Sequence, residues 1–458
     1  MSRKFRTANY EETLNQTIRL ADALPATHLA RYVVDMITQL DLSQIYGRYA
    51  PRGGEAFAPE ILLGLLFYGY ASGVFSSRKI EKATYESIPF RFIAGGLHPD
   101  HDTIAHFRKT FLGEIQELFV QILLLAQEAG VLQLGNISLD GSKIHADASK
   151  SHAVSYKRLI ELQSQLQQEV RELFRLGEQA DQGELQLPEG LVLEDELKIR
   201  QERLANLAKA KAVLEERAQK RYAAEQAEYE AKLKERTKKA RKRHHKPKGR
   251  PPTAPEPGPR DKDQYNFTDP DSRVMKNSTN AGFDQHYNVQ VATDQGSLLV
   301  VANTLSNHPN DKQEAIPTLE AISPKIGKPD AAALDNGYFS AANMQAMEQR
   351  QIDPYIATGR EPHHPDWQTF FQEQPEAPAD DASATIKMAF KLRTEIGQAI
   401  YRLRKCTVEP VIGIIKEILG FRQFSLRGLA AAAGEWCLVC LAFNLKRMHI
   451  LYMEQGLY

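Results

Sequence analysis

Three acids stand out by what surrounds them. Asp140 ends the strand-like run Asn136-Ile-Ser-Leu139 and precedes Gly141, and Asp335 ends Ala331-Ala-Ala-Leu334 and precedes Asn336-Gly337-Tyr338. Glu409 lies among cations in Tyr401-Arg-Leu-Arg404-Lys-Cys-Thr-Val-Glu409-Pro-Val-Ile-Gly-Ile-Ile-Lys416, which reads as an amphipathic helix. Steps of three (Tyr401 to Arg404) and seven (Glu409 to Lys416) return to one helical face. Taken singly, each aspartate reads as an ordinary turn residue and the glutamate as a salt-bridge acid. Together, two carboxylates at strand ends and one on a helix form the donor set of a two-metal phosphoryl-transfer centre. In such a centre, ions roughly 4 Å apart activate the nucleophile and stabilise the leaving oxygen. Mg²⁺ prefers carboxylate oxygens and keeps several waters, so few protein ligands are needed. Asp140, Asp335 and Glu409 are therefore the candidate catalytic residues and metal ligands for two Mg²⁺, with Mn²⁺ as the substitute ion. No glycine-rich phosphate loop, serine elbow or His-Glu-x-x-His motif competes.

Two further aspartates share the form. Asp294-Gln-Gly296 separates two strand-like runs, so hairpin-turn chemistry accounts for Asp294, and Asp147, seven residues beyond Asp140, is a weaker ligand candidate. Pro410 beside Glu409 predicts a break or kink, because proline inside a helix costs about 3 kcal/mol.

The elements that must hold these acids are legible as a mixed α/β sheet. Asn136 to His145 reads as a short strand and turn, and His286 to Thr293 and Ser297 to Asn303 as a hairpin. Ala331 to Asp335 and Pro354 to Ala357 read as strands around a helix from Ser340 to Gln349. Upstream, about Leu20 to Gly130 is helical. Pro59 opens one helix, Ser76-Ser77 another, and Asp102 caps a third with Ile104, Phe107 and Phe111 inward and His106, Arg108 and Lys109 largely off that side. These short helices fit a helix-turn-helix-like DNA-binding unit or a plain helical subdomain.

An insert interrupts the sheet. Leu159, Leu162, Leu166, Val170 and Leu173 follow heptad-like spacing, as do Leu193, Leu197, Leu204, Leu207 and Leu214, predicting an antiparallel coiled-coil hairpin. It runs into a basic stretch and then Pro251-Pro-Thr-Ala-Pro-Glu-Pro-Gly-Pro, which reads as a disordered linker. The resulting division is 1–130 helical, DNA-binding on the helix-turn-helix reading, 131–150 the first part of the core, 151–263 the insert, and 264–458 the rest of the core with the C-terminal helices.

Overall charge is uninformative, with Lys plus Arg and Asp plus Glu at 58 each, but its distribution is not. Lys232 to Arg250 holds eleven Lys or Arg and one acid, a run that attracts polyanions. Cys406, Cys437 and Cys440 are too few for a disulfide scaffold, and Cys437-Leu-Val-Cys440 sits in an apolar run that suits buried core thiols. The N-terminal residues show no secretory pattern, and the longest uncharged run, Ile61 to Ser77, reads as a buried helix rather than a membrane span. A cytoplasmic protein with no membrane partner is the expectation.

At this point the residues resemble a family. Leu139-Asp140-Gly-Ser-Lys-Ile-His-Ala-Asp-Ala-Ser resembles the first-aspartate block of DDE-type bacterial insertion-sequence transposases, and Leu334-Asp335-Asn-Gly-Tyr338 their second. Tyr401, Arg404, Glu409 and Lys416 resemble the Tyr-Arg-Glu-Lys signature of the insertion-sequence-four superfamily. One interval departs: four residues separate Arg404 from Glu409 where the signature commonly has three. Asn266 to Arg273, Gly282 to Gln290, Trp436 to Arg447 and Pro99 to Arg108 also resemble family blocks.

The resemblance implies an RNase H-like core and Mg²⁺-dependent cleavage at element ends. It implies attack of a 3′-hydroxyl on target DNA, with Tyr401, Arg404 and Lys416 on phosphates near the cut. It also implies a bacterial, nucleoid-associated protein that binds double-stranded element ends and target as a homo-oligomer, at least a dimer. Lys391 to Arg427 holds eight Lys or Arg against three acids, in keeping with phosphate contacts. Lys248-Gly-Arg250-Pro251 is similar to a minor-groove hook, though a nonspecific basic linker would read the same. An RNase H-like nuclease and a catalytically inactive DNA-binding derivative are the alternative functions.

Overall fold

A computed structural model of the chain describes residues 19–456, apart from 51–53, 187, 189, 244–249, 278–281, 360–376 and 380. The chain forms two compact units, one running to Asp147 and resuming at Met275, the other Ala148–Val274. The mixed α/β class expected from the sequence is the class observed.

The first unit begins with helices α1 (Leu29–Ile37), α2 (Pro59–Ala71), α3 (Ser77–Glu86), α4 (Ile88–Ile93), α5 (His101–Thr110) and α6 (Leu112–Glu128). Pro59 sits in the first turn of α2, where its missing N–H is not needed, and nearly every residue of α2 is buried. The cap of α5 is Asp100, not Asp102: its carboxylate accepts the Thr103 N–H at 2.7 Å, leaving Asp102 in the first turn. Ile104, Phe107 and Phe111 point inward as expected, but Arg108 is buried with them. Its guanidinium donates to the Tyr70 hydroxyl at 2.8 Å and lies 3.7 Å from Glu435, which is fully buried. Glu435 also accepts Tyr70 Oη–H at 3.1 Å and the N–H groups of Ser425 and Leu426 at 2.9 and 3.0 Å. That carboxylate therefore ties the N-terminal helices to the C-terminal segment.

Strand β1 (Asn136–His145) follows and leads into the second unit. There β2 (Ala153–Ser155) precedes α7 (Tyr156–Asp181) and α8 (Leu193–Arg243), and β3 (Gln264–Asn266) pairs antiparallel with β2, Ala153 opposite Asn266. Val154, Leu159, Leu166, Leu207, Ala210 and Leu214 make the buried cluster between the two helices, with Leu162 and Leu204 packed against it. Beyond that cluster α8 continues as a solvated, basic helix. The Pro-rich segment after it has no regular structure yet is held: Arg236 donates to the Arg250 carbonyl at 2.9 Å, and Arg221 to the Gly258 carbonyl at 2.9 Å and Asp263 at 2.8 Å. Proline removes N–H donors but keeps carbonyl acceptors, so guanidinium donors can tether such a segment.

The first unit resumes within β4 (Arg273–Lys276) and continues through β5 (Phe283–Asp294), β6 (Val300–Ser306), β7 (Ala331–Leu334), α9 (Ala341–Gln349), β8 (Asp353–Ile356), α10 (Glu395–Gly413) and α11 (Leu429–Glu454). The six-stranded sheet runs β4-β5-β1-β7-β8, with β6 also on β5. β1 pairs antiparallel with β5 and parallel with β7, and β7 parallel with β8. Helix α10 packs on β1, β5, β7 and β8, and α11 on β6, α2 and α6. Asn444 of α11 hydrogen-bonds both the N–H and C=O of Val300 at 2.8 Å, and Trp436 donates to the Gln290 carbonyl at 3.2 Å. α11 is long and apolar enough to cross a membrane, but it is largely buried within this unit. Cys437 and Cys440 lie buried in it, and burial pushes the Cys437 thiol up to about 12. Asp294 is a turn residue as expected: its carboxylate accepts the N–H groups of Gly296 and Ser297 at 3.2 and 2.8 Å.

Candidate active site

Parallel pairing of β1 with β7 ends at Leu139 opposite Leu334, so Asp140 and Asp335 are the next residues on adjacent strands. Neighbouring strands lie about 4.8 Å apart, which sets the two carboxylates side by side. Glu409 projects from α10, which crosses the same strands. Arg404 joins the elements: Nη1 donates to Asp140 Oδ2 and Nη2 to Glu409 Oε1, each at 3.0 Å. Backbone N–H groups hold the other oxygens, Gly141 on Asp140 at 2.8 Å and Gly337 on Asp335 at 2.7 Å.

One guanidinium does not neutralise three acids. Burial first, with Asp335 and Glu409 adding to it, holds the Asp140 carboxyl at about 6 against the opposing pull of Arg404 and the Gly141 N–H. Asp335 is raised as well, by burial first and by the nearby Asp311 carboxylate. A buried acid whose neighbours are acids is short of positive charge.

Gly141 is not the turn the sequence suggests. β1 runs straight through it, and it faces Gln290 on β5. A Cβ there would overlap the Gln290 amide and come within 2.9 Å of Asp311 Oδ1. Glycine is needed for close approach rather than for chain reversal. Behind the acids lies a group that the sequence pattern did not pick out: Asn288, Gln290, Asp311, Tyr338 and Lys143. Gly282 to Gln290 stands out as a block but carries no assigned role, and Asp311 falls in a loop without periodicity.

Residues 18–110 match the family model described as Transposase domain (DUF772), and residues 243–445 match Transposase DDE domain. The chain carries the domains of a DDE transposase. These domains indicate a transposase, an enzyme that acts on DNA. No curated protein matches the chain. No solved structure matches it either. The DDE domain match contains Asp335, Tyr401, Arg404, Glu409 and Lys416; Asp140 precedes it and joins the site through strand pairing.

Around this candidate site of the transposase, the residues expected to contact DNA occupy distinct positions. The Tyr401 ring is buried with Ala331, Ala333, Tyr355 and Ala357. Lys416 is half-buried; its ammonium donates to Ser142 Oγ at 3.0 Å, and burial lowers its pKa. It lies in a π-helical stretch, Ile414–Ile418, that continues α10, with the Leu419 N–H bonded to the Ile414 carbonyl at 2.8 Å. Pro410 therefore does not break the helix as expected; α10 runs through it and the irregularity appears one turn later, as a π-bulge of the kind found at functional sites. Asp147 is apart from the acids, paired with Arg427 at 2.8 Å. Arg250 is exposed, and Lys248 lies outside the described residues.

Among the described residues, no three His, Cys, Asp or Glu side chains are converged as a metal cage. The donor chemistry nevertheless fits a hard divalent cation: all three acids offer carboxylate oxygens, and their charge exceeds that of Arg404. Asp140, Asp335 and Glu409 are the residues that would hold it.

Proposed function

We propose that this transposase cuts DNA at insertion-sequence ends and joins the freed 3′-hydroxyl to target DNA in a Mg²⁺-dependent reaction, as a member of the insertion-sequence-four superfamily. The observation that carries this reading is that Arg404 links Asp140 and Glu409 while register sets Asp335 beside Asp140. The order β6-β5-β1-β7-β8, antiparallel then parallel about β1, supports an RNase H-like core. Bound divalent ions would supply Lewis acidity and an activated nucleophile.

The chain's own residues do the rest. Asp140 and Asp335 sit on paired strands, so their spacing is set by backbone hydrogen bonds rather than by rotamers. Arg404, a planar donor suited to phosphate as well as carboxylate, exchanges one for the other when DNA arrives. Lys416 holds a second phosphate from the far end of the helix, and the buried Tyr401 ring orients Arg404, whose guanidinium lies 5.9 Å from that ring's centre. The N-terminal helices read element ends, Lys248 and Arg250 add backbone contacts, and α7 with α8 forms a coiled-coil hairpin for self-association during synapsis.

The test is incubation with Mg²⁺ and a labelled element end bearing a 3′-hydroxyl. Joined products are expected; cleavage without joining would make the protein a nuclease, and DNA retention without either would make it a binder. Asp335→Asn should abolish cleavage and leave DNA affinity within about twofold, since no phosphate contact is lost. Cleavage at the wild-type rate would remove Asp335 from the site.

A further inference from the structure

The polar group behind the acids has a direction. Asn288 and Gln290 are two apart on β5 and share a side of the sheet, and both are fully buried. Each donates its amide N–H to the same atom, Asp311 Oδ1, at 2.7 and 2.8 Å, with Lys143 Nζ 3.6 Å away. The Gln290 oxygen accepts from the Tyr338 hydroxyl. An ionised carboxylate can only accept, so Asp311 forces the Gln290 amide to present its nitrogen there and its oxygen to Tyr338. That removes the usual ambiguity of a buried amide.

Both ends of this chain meet the site. Gln290 fills the space beside Gly141, the residue after Asp140. Tyr338 closes the 3₁₀ turn Asn336–Tyr338 that Asp335 caps, and its own N–H bonds the Asp335 carbonyl at 3.3 Å.

We propose that Gln290 is a positioning residue of the DNA-cutting site: it ties the strand carrying Asp140 to the turn carrying Asp335, and Asp311 sets the polarity of that tie. Gln290 is buried and reaches no DNA, so its effect passes entirely through the two aspartates. The inference rests on the function proposed above for those residues.

The test is a polarity swap in the full chain, comparing Gln290→Glu, Asp311→Asn and the double variant. Gln290→Glu sets carboxylate against carboxylate and should slow cleavage 10- to 100-fold, the range typical of groups that orient ligands. DNA affinity should stay within twofold. The double variant restores an amide facing a carboxylate, now reversed, and should recover most of the lost rate. A tie that merely stabilised the fold would lower the melting temperature and leave the cleavage rate of the folded protein unchanged. Wild-type cleavage by Gln290→Glu, or a double variant no faster than the slower single, overturns the proposal. Should Gln290→Glu fail to fold, Asp311→Asn, at a partly exposed loop, carries the same comparison of cleavage rate against DNA affinity.

A wild-type protein that cuts no DNA sinks the proposed function instead. The tie is then read by Mn²⁺ titration followed by electron paramagnetic resonance. Weaker binding by Gln290→Glu, regained in the double variant, supports it; equal Mn²⁺ affinity in all three proteins, or no Mn²⁺ binding by the wild type, overturns it.

Discussion

Asp140→Asn should abolish cleavage and make the metal-free protein more stable at neutral pH. The folded protein holds the Asp140 proton more tightly than the unfolded chain, with the carboxyl moved from 3.8 to about 6 by burial and neighbouring acids. A raised carboxyl favours the fold while protonated, and that contribution is lost as pH climbs from about 4 to about 6. Two pKa units correspond to about 3 kcal/mol. The attraction of Arg404 is already contained in that figure, since it acts on the same ionisation. A carboxamide keeps the shape of the protonated acid and never ionises. The substitution should therefore change little near pH 4 and add up to about 3 kcal/mol above pH 6.5, roughly 5 °C in melting temperature for a unit of this size. Thermal melts in EDTA buffers from pH 4 to 8 would trace the difference. Added Mg²⁺ should raise the wild-type midpoint at pH 7.5 more than that of the variant. A variant less stable than wild type at pH 7.5, or a difference that does not change with pH, would refute the reasoning.

Glu435→Ala removes the ion-pair partner of the buried Arg108 and the acceptor of the Tyr70 hydroxyl, and frees the Ser425 and Leu426 N–H groups, so it should cost about 3–5 kcal/mol in urea unfolding; a loss under 1 kcal/mol would show the network to be ornamental. Lys234, Lys238 and Arg241 are exposed and spaced four and three apart on α8. Changing all three to Gln should lower the slope of log affinity for DNA against log salt by up to about 3, and an unchanged slope would show that this helix face touches no DNA.

Asp140, Asp335 and Glu409 were legible because apolar runs end at the two aspartates and helical spacing frames the glutamate. The role of Arg404 was not. Residues five apart on a helix point about 140° from one another, so spacing gives no sign that Arg404 and Glu409 meet; a long guanidinium arm and β1 beneath bring them together. Arg108 was misplaced for the opposite reason. It is four residues from Ile104 and so on the buried face by period, but its charge argued for solvent until Glu435, far along the chain, supplied the partner. Gly141 looked like a turn because Asp-Gly usually is one, and only the cross-strand Gln290 reveals why no side chain fits. Asp311 carries no local pattern at all.

His145 at the end of β1 pairs with His286 near the start of β5, and most of the sequence between them is the second unit. Two adjacent antiparallel strands normally meet through a tight turn; here a folded body takes the place of that turn, its neck closed by β2 on β3. Bringing distant ends together by chance is slow, and pairing that depends on it comes late in folding. Folding of the insert, which brings its own ends together on β2 and β3, lowers the loop-closure cost that pairing of β1 with β5 must meet. The strand pairing beneath the three acids thus depends in part on a region that contains none of them.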